Sequence, residues 1–214
     1  MLSMRRTTHI LSVVCNAEEL QAMKKILLIN GHPDKESYNF DLSNAYKQRA
    51  EKSDAELKEI QIRDLYFDPK LQYGYRKRTE LEPDLQKAQE FILWAEHLVW
   101  VYPIGWGTVP AIMKGFLDRV LLPGFAFKHR ENSPWWDRYL TGKTARLICT
   151  MDQHPWYYRF RYGAPGHKAM KQMTLQFCGV KKVRITPIGP IKNSKLKFRE
   201  KWIRNIESLG ESKL

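Results

Sequence analysis

The chain has 214 residues, 43% hydrophobic and 28% charged, a length and composition that suit one moderate core and exclude a disordered chain. No apolar run approaches the ~20 residues that a membrane-crossing helix needs. The formal net charge of +13 admits anionic partners, but the charge is spread in short clusters such as Arg76-Lys77-Arg78 and Lys181-Lys182. Without recognition-helix or zinc-finger spacing, the simpler reading is a solvated basic surface, and nucleic acid is not an expected partner.

Cys15, Cys149 and Cys178 show no CxxC spacing, which argues against a metal site or a disulfide framework and suits a reducing, cytoplasmic compartment. Residues 1–22 differ from the rest. Their apolar stretch, ILSVVC at 10–15, is short for a signal peptide and is soon followed by Glu18-Glu19. An N-terminal extension is therefore expected ahead of a single domain over 23–214.

In chain order, Lys25–Asn30 reads as a buried strand, 41–52 as a helix, and 56–63 as a second, partly alternating strand. Residues 64–82 read as a long loop. Pro83 opens a helix to about Ala95, at the one turn where a missing N–H costs nothing. HLVWVY at 97–102 is the third strand, closed by Pro103, and Pro110 opens a helix over 111–120. Then come a strand over 144–151, a helix over 165–177 ended by Gly179, a strand over 182–187 and a basic amphipathic helix over 195–209. Five strands alternating with five helices imply parallel pairing, because parallel strands need crossovers. Ligands of such a sheet bind beyond the carboxyl ends of its strands, which directs attention to loops 31–40, 103–109 and 151–164.

The first loop, GHPDKESYNF, carries neither GxGxxG nor a Walker A lysine. Ser37 and Asn39 are candidate caps for the next helix, where an anion would meet backbone N–H groups, with His32 as a further donor. The second, PIGWGTVP, sets two glycines about Trp106: close backbone approach to a flat ligand beside an aromatic wall, or a tight connection with a core Trp. The third, TMDQHPWYY, offers an Asp, a His and tyrosines able to share protons. The pair Trp135-Trp136 reads equally as core and as a lid or dimer contact.

Together, GHP at 31–33, SYN at 37–39, DLYFDP at 64–69, YPIGWGTVPAIMKGFLDRV at 102–120 and GFAF at 124–127 resemble the flavodoxin-like NAD(P)H:quinone oxidoreductases over residues 24–190. This family includes quinone reductases and the ancillary reductases of potassium efflux systems. The resemblance implies an α/β, flavodoxin-like, doubly wound five-stranded parallel sheet, and a flavin: FMN, with FAD left open, since the compact chain shows no adenine site. It implies that His32, Ser37, Tyr38 and Asn39 hold the flavin phosphate side, and that Pro103, Ile104, Gly105, Trp106 and Gly107 line the ring. Thr150 matches the threonine that opens the third flavin-contacting loop, beside Asp152. Tyr157 aligns with the family's active-site tyrosine, whereas the position of its histidine falls near Gly163. The implied activity is ping-pong transfer of two electrons from NAD(P)H, NADPH ahead of NADH, to a quinone-like acceptor, by a homodimer. The alternatives are a flavin-binding regulatory subunit docked on a membrane transporter and a one-electron FMN carrier, the latter at odds with the basic charge.

Overall fold

The computed structural model describes residues 24–213; the expected extension over 1–22 lies outside them. The strands are β1 (Lys25–Asn30), β2 (Glu56–Gln61), β3 (His97–Pro103), β4 (Phe127–His129), β5 (Trp136–Arg138), β6 (Thr144–Thr150) and β7 (Lys182–Ile188). The helices are α1 (Tyr38–Lys52), α2 (Pro83–Trp94), α3 (Ala111–Val120), α4 (Pro155–Tyr162), α5 (Pro165–Lys168, continued by a π-helical stretch Ala169–Gln176) and α6 (Leu196–Glu211).

The main sheet has the order β2-β1-β3-β6-β7, all pairs parallel, as in a flavodoxin-like doubly wound fold. The chain winds from β1 to one edge and then from β3 to the other, so the strand order reverses between β1 and β3. Residues of β1 alternate between two cores. Leu27 and Ile29 join Trp100, Leu147 and Phe116 on the α2–α3 side; Ile26 and Leu28 join Val99, Val101 and Ile148 on the α1–α6 side. All four β1 side chains are wholly buried, each contributing about 1.5–3 kcal/mol. That is why these strands read as continuous apolar runs.

The long 65–82 loop is held to α3. Arg119, 2% exposed, pairs with Glu82 at 2.8 Å and donates to the Glu80 carbonyl at 3.1 Å. At Gly115 the loop approaches so closely that a Cβ would stand 2.8 Å from the Pro69 carbonyl oxygen.

Four expectations are corrected. The second strand ends at Gln61 because Ile62–Asp64 turn into one 3₁₀ turn. Helix α1 starts at Tyr38 rather than 41. The segment 151–164 is not all loop: Pro155 starts α4, in which Tyr158 is the only buried residue. The connection before β6 contains the short antiparallel pair β4–β5, and it splits the Trp pair. Trp136 stacks on Phe177 with ring centroids 4.5 Å apart and donates Nε1–H to its carbonyl, whereas Trp135 is 65% exposed.

Candidate functional site

The three loops singled out by topology meet at the carboxyl end of the sheet, tied together by named bonds. Gly31 N–H donates to the Val101 carbonyl at 2.8 Å, fixing the first loop against β3. Asn30 accepts from His32 N–H at 2.9 Å and donates to Ser43 Oγ at 3.0 Å. Asn39, 3% exposed, bonds Thr150 Oγ1 at 3.0 Å and so joins α1 to the end of β6. Its amide is therefore a strut between elements and does not cap α1; the N-cap position is Ser37.

Ser37 stands at the N-terminus of the 15-residue α1 with a buried Oγ that has no hydrogen-bond partner among the described residues. A buried hydroxyl left unpaired costs about 1–3 kcal/mol, and the N-terminus of a helix offers N–H groups and partial positive charge. The donor set fits a phosphate. His32 adds to it. Its Nδ1 lies 3.0 Å from both the N–H and the carbonyl oxygen of Asp34, which fixes the ring and leaves Nε2 for a ligand, and burial lowers its pKa. Tyr38 contributes backbone only: its hydroxyl donates to the Arg199 carbonyl at 2.7 Å, away from the cradle, and burial pushes its pKa to about 12.

In the second loop, Gly105 and Thr108 exchange backbone hydrogen bonds at 3.0 Å, closing a two-residue turn with Trp106 at φ +49° and Gly107 at φ +81°. A bulky residue at positive φ is strained, and such strain gathers at ligand-binding turns. Trp106 is fully exposed, so it is no core residue. Ile104 N–H is spent on the Thr150 carbonyl at 2.7 Å; among the described residues, the N–H groups of Trp106 and Gly107 have no backbone acceptor.

The third loop supplies a tyrosine, but one position on from the expected one. Tyr158 is wholly buried; its hydroxyl donates to the Gly107 carbonyl at 2.8 Å and accepts from Gly166 N–H at 2.7 Å. Its ring meets His167 edge-on, centroids 5.1 Å apart, and burial raises its pKa. Tyr157 is half exposed and packs edge-on against Trp156 and Tyr162. Asp152 accepts from Lys192 N–H at 3.0 Å, bracing the loop against the segment after β7.

The second and third loops enclose a cleft of about 630 Å³, walled by Ile104, Trp106, Met151, Asp152, Tyr158 and Tyr162 among others, with the first loop tied in behind it through Asn39 and Thr150. That is the size of a small-molecule site, with an apolar wall and a polar side formed by Asp152 and Gln153. Of the residues expected to line the ring, Ile104, Trp106 and Gly107 reach the cleft; Pro103 ends β3 beside it and Gly105 closes the turn. The sequence reading gave no role of their own to Tyr158 and His167 and did not name Tyr162. The signal for the two tyrosines was Pro155 at a helix start, after which positions 158 and 162 share a face.

Residues 24–208 match the family described by a flavodoxin-like fold. The chain belongs to the flavodoxin-like NAD(P)H:quinone oxidoreductase family. Among relatives of this family, the ribosyldihydronicotinamide dehydrogenase-like protein traD of Penicillium crustosum is 30% identical over 59% of this chain, which spans only 57% of that protein. Ribosyldihydronicotinamide dehydrogenase [quinone] of Mus musculus is 27% identical, over 75% of this chain and 79% of its own. An FMN-dependent NADH-azoreductase of Bacillus anthracis, solved in complex with FMN, shares the fold at a TM-score of 0.67 and 19% identity, covering 89% of this chain and 99% of its own.

Proposed function

We propose that the protein is a flavin-dependent NAD(P)H oxidoreductase that holds FMN and passes two electrons to a quinone or a similar small acceptor in ping-pong order. The observation that carries this reading is the bracing of three loops at one end of the sheet, by Asn39 to Thr150 and by Tyr158 to Gly107, with a cleft between the second and third. The names of the quinone-reducing and FMN-dependent relatives support it.

A flavin supplies the hydride chemistry that no side chain offers. His32, Ser37 Oγ and the N–H groups of Tyr38 and Asn39 would hold its phosphate. Ile104 and Trp106 flank its ring, and the free N–H groups of Trp106 and Gly107 offer fixed dipoles toward negative charge gathering there. Tyr158 is a positioning residue: it fixes the Gly105–Thr108 turn that would bind the ring. Tyr157, at the rim, offers a hydroxyl to the oxygen of an acceptor. Because one cleft serves donor and acceptor in turn, the donor leaves before the acceptor enters.

The protein works as a homodimer in the cytoplasm, joined through exposed aromatics such as Trp156 and Phe160, at 60% and 78% exposure. Among the described residues no helix is long and apolar enough to cross a membrane.

The test is steady-state oxidation of NAD(P)H by FMN- and FAD-loaded protein with a benzoquinone as acceptor. Parallel double-reciprocal lines, with FMN the retained flavin, are expected. Intersecting lines contradict the ping-pong order, and bound flavin with negligible turnover favours a carrier or a transporter-docked subunit.

A further inference from the structure

Helix α4 has three faces. Tyr158 and Tyr162, one turn apart, face the cleft; Trp156 and Phe160 point to solvent; Pro155 and Arg159 line a separate hollow of about 470 Å³. The far wall of that hollow is α5 and its extension, which bring His167, Lys168 and Lys171, over a base of Ile185 and Pro187 from β7. Among the described residues no carboxylate lines it. Among the described residues Arg159, Lys168 and Lys171 enter no ion pair, and the buried Nε2 of His167 has no hydrogen-bond partner. Three cations about one concavity repel one another, and an anion between them removes that cost.

The hollow and the cleft share a boundary. Tyr162 and Pro165 belong to the cleft wall, while Gly163 and Ala164 between them line the hollow. Both residues at this crossing take left-handed backbone conformations, φ +69° and +51°, ending α4 abruptly so that α5 starts at once. One helix, about 10 Å across, separates the two sites, and an extended dinucleotide is longer than that.

We infer that the hollow lined by Arg159, Lys168 and Lys171 is the subsite for the 2′-phosphate of NADPH. The nicotinamide end enters the cleft, and the adenosine end lies over the C-terminus of α4. A phosphomonoester carries about −1.5 to −2 at neutral pH, and NADH has no group at that position. The planar guanidinium of Arg159 suits two phosphate oxygens at once, and the two ammonium groups add point charges. This subsite makes the protein prefer NADPH. It rests on the oxidoreductase reading above for its meaning, but not for its test.

Full-length, flavin-loaded protein is titrated calorimetrically with 2′,5′-ADP and with 5′-AMP. The expected result is binding of 2′,5′-ADP about tenfold tighter or more, with Arg159→Gln and Lys171→Gln each removing most of the difference. In steady state the same variants raise KM for NADPH about tenfold, against less than twofold for NADH. Circular dichroism confirms that both fold, as expected for side chains at the surface. Equal affinity for the two nucleotides, or equal losses with NADPH and NADH, overturns the subsite. A 2′-phosphate preference without any NADPH oxidation upholds the subsite and overturns the oxidoreductase reading; turnover without that preference does the reverse.

Discussion

Tyr158, without solvent exposure, donates its hydroxyl proton to the carbonyl of Gly107 at 2.8 Å and thereby joins the base of α4 to the turn that carries Trp106. The same oxygen accepts from Gly166 N–H, so one phenol ties three segments. Tyr158→Phe keeps the ring but leaves a carbonyl and an N–H unpaired. We expect a loss of about 1–3 kcal/mol in stability, at about 2–4 °C in Tm per kcal/mol. Calorimetry measures the first effect. A flavin Kd raised about tenfold, by fluorescence titration, is the second.

Asn39 and Thr150 are 111 positions apart in sequence and 3.0 Å apart in space. Thr150→Val preserves shape and removes the hydroxyl, stranding a buried amide, so it costs about 1–3 kcal/mol. Asn39→Leu strands the threonine in turn. The double variant loses less than the sum of the two, by about 0.5 kcal/mol or more, in urea unfolding. Strict additivity contradicts the strut.

Trp106 sits at φ +49° with its ring in solvent, an arrangement that costs stability and buries nothing. Glycine removes the strain, of order 1–3 kcal/mol, against an entropic cost of about 0.5–1 kcal/mol. Trp106→Gly therefore holds or raises Tm while lowering kcat/KM for quinone reduction about tenfold or more. A fall in Tm with unchanged activity contradicts the functional reading of the strain.

How much of this was readable in the sequence depended on burial. The strands over 25–30, 97–103 and 144–150 stood out because these three are covered on both faces over most of their length, whereas the edge strand over 182–188 was marked by its β-branched residues Val183, Ile185, Thr186 and Ile188. Helix α4 did not stand out: PWYYRFRY buries only Tyr158, so it has no apolar stripe, and the choice between Tyr157 and Tyr158 depends on helical phase, which a loop reading does not supply. The β4–β5 pair is only three residues long on each side, too short for alternation to show. In the first loop, residue types pointed to an anion cradle, but the partners of Asn39 and Tyr38 are long-range and invisible to spacing.

His97, at the opposite end of the sheet, gives a pH prediction. Burial first, then the positive charges of Lys24, Arg146 and Arg184, lower its pKa from 6.5 to about 3. The fold keeps the ring neutral while the unfolded chain takes up a proton below pH 6.5, so the stability from this group is full above that pH and is lost as pH falls toward 3. We expect the unfolding free energy to drop by up to about 1.4 kcal/mol per pH unit in that window from this group alone. The slope should be shallower in His97→Gln. An identical slope in the variant contradicts the assignment.

In the function proposed above, a flavin bound at the carboxyl end of the sheet takes hydride from NADPH and passes it to a quinone. An anaerobic titration of FMN-loaded protein with NADPH, followed in the flavin absorbance band, tests it most directly. Bleaching by one equivalent of NADPH, fully reversed by one equivalent of a benzoquinone, is the predicted result. Flavin that binds but stays oxidised under NADPH, or protein that retains neither FMN nor FAD, contradicts it.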